Sequence, residues 1–128
     1  MPGYGGQTIA PAAPQPVWLK RWGAYAFDEQ ASKVGMAGGM SSEGKARKAA
    51  IAHCKSKGGM NCQIQITYHN QCAVVVSGEK REGRWSTSFQ SAPTLEEASS
   101  LAEAHCRSTG ASGCRVFFSD CSYAELAR

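Results

Sequence analysis

The chain has 128 residues, a net charge of +4 and 42% hydrophobic residues, which suits one domain with a real core. No apolar run approaches the roughly 20 residues of a membrane-spanning helix, and the modest charge excess excludes a strongly basic nucleic-acid binder. Six cysteines, an even number at repeated spacing, point to a disulfide framework and so to an oxidising compartment.

Residues 1–17 are Gly- and Pro-rich and are read as a flexible tether. Such a tether fits a chain that follows a removed signal or a lipid anchor. Residues 18–128 form the folded domain. Within it the chain repeats itself: Ser42, Ala46, Ala50, Ala52, His53, Cys54 and Cys62 recur 52 positions later as Thr94, Ala98, Ala102, Ala104, His105, Cys106 and Cys114. A fixed period of this kind marks two copies of one supersecondary unit, about 18–71 and 72–123.

In chain order, Trp22 to Phe27 reads as a strand and Lys33 to Gly38 as a second. Ser42 caps a helix to about Lys57, whose Ala46, Ala49, Ala50 and His53 share an arc of about 100°. Gly58-Gly59 ends it, and an alternating strand follows with Ile64, Ile66 and Tyr68 on one face. The continuous run Cys72-Ala-Val-Val-Val76 predicts a central strand, and Gly83 to Phe89 the next. Thr94 and Glu97 form a capping box for a second helix. Its buried face is expected to hold Leu95, Ala98, Leu101, Ala102 and His105. Arg115 to Phe118 is the last strand. Each unit is therefore strand, strand, helix, strand. The expected whole is an α+β fold: one antiparallel sheet with both helices on one face.

The layout restricts cysteine pairing. Cys54 and Cys62 close the loop from helix to strand, and Cys106 and Cys114 close its copy. Cys72 and Cys121 remain, and their bridge is expected to tie the two repeats together. Zinc is the rival reading, but its Cys pairs usually stand two to four residues apart, against seven intervening residues here.

No enzyme motif stands out. Ser42-Glu-Gly-Lys45 matches S-x-x-K, but the accompanying S-D-N and K-T-G are absent and the helix cap explains Ser42. His53 and His105 are expected in the core, each donating to a backbone carbonyl rather than binding metal. No cofactor is implied. Lys45, Lys48 and Lys55 form a basic stripe without the aromatic platform of a nucleic-acid site, and are expected to steer an acidic partner. Trp18 and Arg21 near the first strand, and Arg81, Arg84 and Trp85 around the fifth, are the candidate partner contacts, because Trp and Arg dominate interface hot spots. Trp22 is expected in the core.

The set Trp22-Gly-Ala24, Ser42-x3-Ala46-x3-Ala50-x3-Cys54, Cys62, Cys72-Ala-Val and Cys121 resembles the bacterial secreted family called domain of unknown function 4189. The resemblance covers about residues 18–123. It implies export through the inner membrane, a disulfide-bonded α+β domain and no established catalytic residues. Some members resemble periplasmic immunity proteins encoded beside antibacterial effectors of type IV secretion systems, while others look like free secreted proteins. The expected function is therefore non-enzymatic binding of a cognate effector toxin in the periplasm. The alternative is a secreted effector or host-interacting protein that acts on other cells.

Overall fold

Two helices of equal length, α1 (Glu43–Ser56) and α2 (Leu95–Ser108), begin where the sequence caps them. The Ser42 hydroxyl accepts the Lys45 N–H at 3.2 Å, and the Thr94 hydroxyl accepts the Glu97 N–H at 3.2 Å. The Thr94 hydroxyl donates in turn to the Glu97 carboxylate at 2.9 Å, a variant of the expected box. These elements come from a computed structural model that describes residues 15–81 and 83–127. Most of the expected tether, residues 1–17, lies outside the described residues.

The strands are β1 (Trp18–Leu19), β2 (Trp22–Asp28), β3 (Lys33–Met40), β4 (Gln63–His69), β5 (Gln71–Glu79), β6 (Trp85–Ala92), β7 (Ser112–Ser122) and β8 (Glu125–Leu126). They form two antiparallel sheets, ordered β3-β2-β4 and β6-β5-β7, with β1 and β8 paired as a separate ribbon. The α+β class and the strand-strand-helix-strand units are as expected, but the sheet is divided. Ala24 and Ala26 on one face of β2 pack under Ala46, Ala50 and Cys54 of α1. Val74 and Val76 of β5 pack likewise under Ala98, Ala102 and Cys106 of α2. The opposite faces, Tyr25 and Tyr68 from one sheet and Ala73 and Val75 from the other, meet in a third core. The layers thus run helix, sheet, sheet, helix, and the helices lie on opposite outer faces. A single six-stranded sheet would leave this third apolar face uncovered, so the sheets fold onto each other. The turn between them is Asn70 alone, at φ 53°.

Both helices bury only small residues at i, i+4 and i+8. That narrow seam lets a helix sit low on its sheet. Gly35 shows how low: a Cβ there would lie 2.2 Å from the Ala50 carbonyl oxygen. Leu95 and Leu101 flank the α2 seam and are about half exposed, contrary to expectation. His53 and His105 occupy matching places but are not core residues. His53 is half-buried and His105 exposed. Instead of donating to a carbonyl, His53 Nδ1 accepts the Met36 N–H of β3 at 2.9 Å. His105 Nδ1 pairs with the Ser88 hydroxyl of β6 at 3.1 Å.

The repeat extends to a shared irregularity. Tyr25 faces Ile66 while Ala26 faces Ile64, leaving Gln65 as a bulge in β4. Val75 faces Phe118 while Val76 faces Val116, leaving Phe117 as a bulge in β7. Each bulge breaks the simple alternation: Ile64 packs towards α1, whereas Ile66 and Tyr68 pack between the sheets.

All six cysteines are paired, as Cys54–Cys62, Cys72–Cys121 and Cys106–Cys114. The pattern is that of proteins that mature in an oxidising compartment. Cys72 and Cys121 stand directly opposite on β5 and β7, so their bridge lies within the second unit and does not join the repeats. Contacts that do join the units include the shared core between the sheets, the Asn70 N–H on the Ser122 carbonyl at 2.7 Å and the Gly39 N–H on the Ser122 hydroxyl at 3.1 Å.

Asp28, at the end of β2, is buried and ties two loops. Its carboxylate accepts N–H groups from Met60 at 2.7 Å, Asn61 at 2.9 Å and Ala31 at 3.1 Å. Backbone hydrogen bonds, Asn61 first, hold the carboxyl below the usual carboxylate range. The unfolded chain therefore takes up this proton first as pH falls. The contribution is complete above the unfolded value of about 4 and fades as pH drops through the lower folded value. Urea titrations between pH 7 and pH 2 should show Asp28→Asn less stable at neutral pH, with the difference shrinking towards pH 2. An equal loss at every pH would contradict this role.

Candidate functional site

The two sheets are close at one end of the sandwich and apart at the other. At the close end, a Cβ on Gly38 of β3 would meet the Asp120 carboxylate of β7 in the other sheet; within the first sheet, the Tyr68 ring lies over its strand neighbour Gly23, where a Cβ would meet it. Tyr68 donates to Asp120 Oδ2 at 2.5 Å, and the Ser122 hydroxyl donates to the same oxygen at 3.1 Å. Tyr25 is fully buried, and its hydroxyl meets no partner among the described residues. Burial, with Asp120 adding to it, pushes both phenols above their ordinary range. They stay neutral at physiological pH and act as fixed polar groups within the packing.

At the far end the sheets enclose a cleft of about 300 Å³. Phe27 and Val34 line it from one sheet, and Val75, Phe118 and Thr87 from the other. Trp85 and Phe117 stand at its edge, 58% and 45% exposed. Exposed aromatic side chains on a rigid scaffold mark interaction surfaces. The repeat sharpens this. The bulge holds Gln65 in the first unit, which suits water, whereas the second unit holds Phe117 in the same bulge. The Ser77 and Thr87 hydroxyls, 2.9 Å apart, are the polar pair on the cleft wall. The cleft shares Ser32, Val34 and Phe118 with an adjoining hollow at its mouth, bounded also by Lys33 and Lys57. Lys57 Nζ lies 4.9 Å from the Phe118 ring centre, a cation–π contact.

The candidate contacts read from the sequence are spread over the molecule. Arg81 and Arg84 lie exposed on the β5–β6 hairpin next to Trp85, where with Lys80, Thr109 and Gly110 they border a hollow of about 430 Å³. Lys45, Lys48 and Lys55 stand exposed on α1, which belongs to the other sheet. Trp18 is exposed on the terminal ribbon, and Arg21 is occupied by an ion pair with Glu125 at 3.0 Å. Trp22 is half-buried and stacks on His69 at 4.2 Å. Sequence reasoning missed Phe27, Val34, Phe117 and Phe118 as site residues, because nothing in a strand pattern shows where two sheets separate. Among the described residues, no three His, Cys, Asp or Glu side chains converge as a metal site, and no helix is long and apolar enough to cross a membrane.

A family model described as Domain of unknown function (DUF4189) matches residues 22–121. The chain belongs to this family. No curated protein and no solved structure gives a significant match.

Proposed function

We propose that this member of DUF4189 is a non-catalytic binding protein of the bacterial periplasm, an immunity protein that inhibits a cognate antibacterial effector delivered by type IV secretion. The observation that carries the reading is the exposed Trp85, with Arg81 and Arg84 beside it, on a hairpin of a disulfide-braced sandwich. A rigid aromatic–arginine cluster is the usual anchor of a protein interface. The basic side chains Lys45, Lys48 and Lys55 would add long-range attraction for an acidic partner.

A pull-down with the product of the neighbouring gene, followed by a periplasmic co-expression killing assay, tests the reading. Trp85→Ala and Arg84→Ala should each weaken binding by about 2 kcal/mol, about 30-fold in affinity. Neutralising Lys45, Lys48 and Lys55 together should slow association and flatten its salt dependence more than it speeds dissociation. Absence of both binding and protection would remove this reading and put a secreted effector acting on other cells ahead of it.

A further inference from the structure

We propose that the cleft between the two sheets binds a small anionic amphiphile, a medium-length acyl chain ending in a carboxylate. The walls suit the chain. Phe27, Val34, Val75 and Phe118 present apolar surface from both sheets, and Trp85 and Phe117 extend it outwards. The cavity of about 300 Å³ is at the small end of ligand sites, which fits a chain of about ten carbons.

The mouth suits the head group. It opens beside Lys33 and Lys57, and no carboxylate lines either the cleft or the mouth. Asp28 and Glu29 border another hollow, which shares only Phe27 with the cleft, and the Asp28 carboxylate is already held by backbone N–H groups. Glu79 pairs with Trp85 across the hairpin but lines neither space. An acyl chain lying between the sheets would bring its carboxylate to the two ammonium groups, where a charge-assisted hydrogen bond is stronger than a neutral one. A cationic amphiphile of the same length would meet repulsion there. The inference does not depend on the protein-partner reading, since the cleft can hold such a ligand whether or not the hairpin binds an effector.

The test is calorimetric titration of the full, oxidised chain with decanoate below its micellar concentration. Decyltrimethylammonium serves as the chain with the opposite head, and butyrate as the head with little chain. Decanoate should bind saturably at one site, and the ammonium and butyrate at least about tenfold more weakly. Lys33→Ala combined with Lys57→Ala changes exposed side chains and should abolish the preference for decanoate over the ammonium. Phe117→Gln, the residue the first repeat carries in its own bulge, should weaken both ten-carbon ligands alike. Circular dichroism confirms that each variant remains folded. Failure of decanoate to saturate, equal binding of the ammonium, or indifference to both sets of substitutions would overturn the proposal.

Discussion

Removing the Cys72–Cys121 bridge by replacing both residues with alanine is expected to destabilise the domain by about 4 kcal/mol, against about 2.5 kcal/mol for either of the other bridges. The difference follows from loop length. Cys72 and Cys121 are 49 positions apart, whereas Cys54–Cys62 and Cys106–Cys114 each span 8. In the chain-entropy view, a bridge restricts the unfolded ensemble by an amount that grows with the logarithm of the loop it closes. The short bridges have a compensating local role. Gly59 and Gly78 bring backbone against their sulfurs, so closely that a Cβ would lie 2.4 Å from Cys62 Sγ and 2.6 Å from Cys114 Sγ. Their removal leaves space against the Gly59 turn and against strand β5 at Gly78, as well as a longer free chain. Domains of this size are stable by only about 5–15 kcal/mol, so full reduction should unfold the protein at ambient temperature. Urea unfolding of the three double variants, with and without reductant, measures the order. A Cys72–Cys121 variant no less stable than the other two would show that native-state packing, not loop closure, sets the contribution.

The local elements were legible because each has a short-range cause. Ser42 and Thr94 announce helix starts, Gly58 and Gly110 follow the helix ends with φ of 106° and 89°, and the internal repeat halves the problem. Cysteine pairing was legible for the same reason, since one loop is written twice. The layer order was not. Period-two alternation tells which residues share a face, but both faces of β2 and β5 are apolar, and alternation is silent on which layer covers which face. Asn70 decides it with a single left-handed residue, which the sequence alone does not distinguish from an ordinary turn. The terminal ribbon escaped because strands of two residues carry no pattern. At the candidate site, Trp85 and the arginines were visible as residue types, but Phe117 was not. Its exposure depends on a bulge, and one extra residue reverses the face of everything beyond it.

Small residues explain the helix layers more than large ones do, and Gly35 tests this most directly. Gly35→Ala is expected to cost about 3 kcal/mol, at the upper end for overpacking by one methyl group. The added Cβ would lie 2.2 Å from both the Ala50 carbonyl oxygen and the Cys54 N. These are backbone atoms of α1, and no side-chain rotation relieves the clash. The helix must lift from β3, which also strains the Met36 N–H bond to His53 Nδ1 one residue away. The control is Gly44→Ala in the first turn of the same helix. A Cβ there meets nothing within 4 Å, and the position needs no left-handed backbone. That substitution should stabilise by about 0.5–1 kcal/mol through the better helix former. Denaturant unfolding of the two variants thus gives shifts of opposite sign from the same chemical change. Lys33 and Val34, at the cleft and its mouth, directly precede Gly35 on β3. A lifted helix should therefore also weaken decanoate binding in Gly35→Ala, while Gly44→Ala leaves it unchanged. A Gly35→Ala protein of unaltered stability would mean that α1 does not rest on β3 as closely as described, and the small-residue seam would lose its purpose.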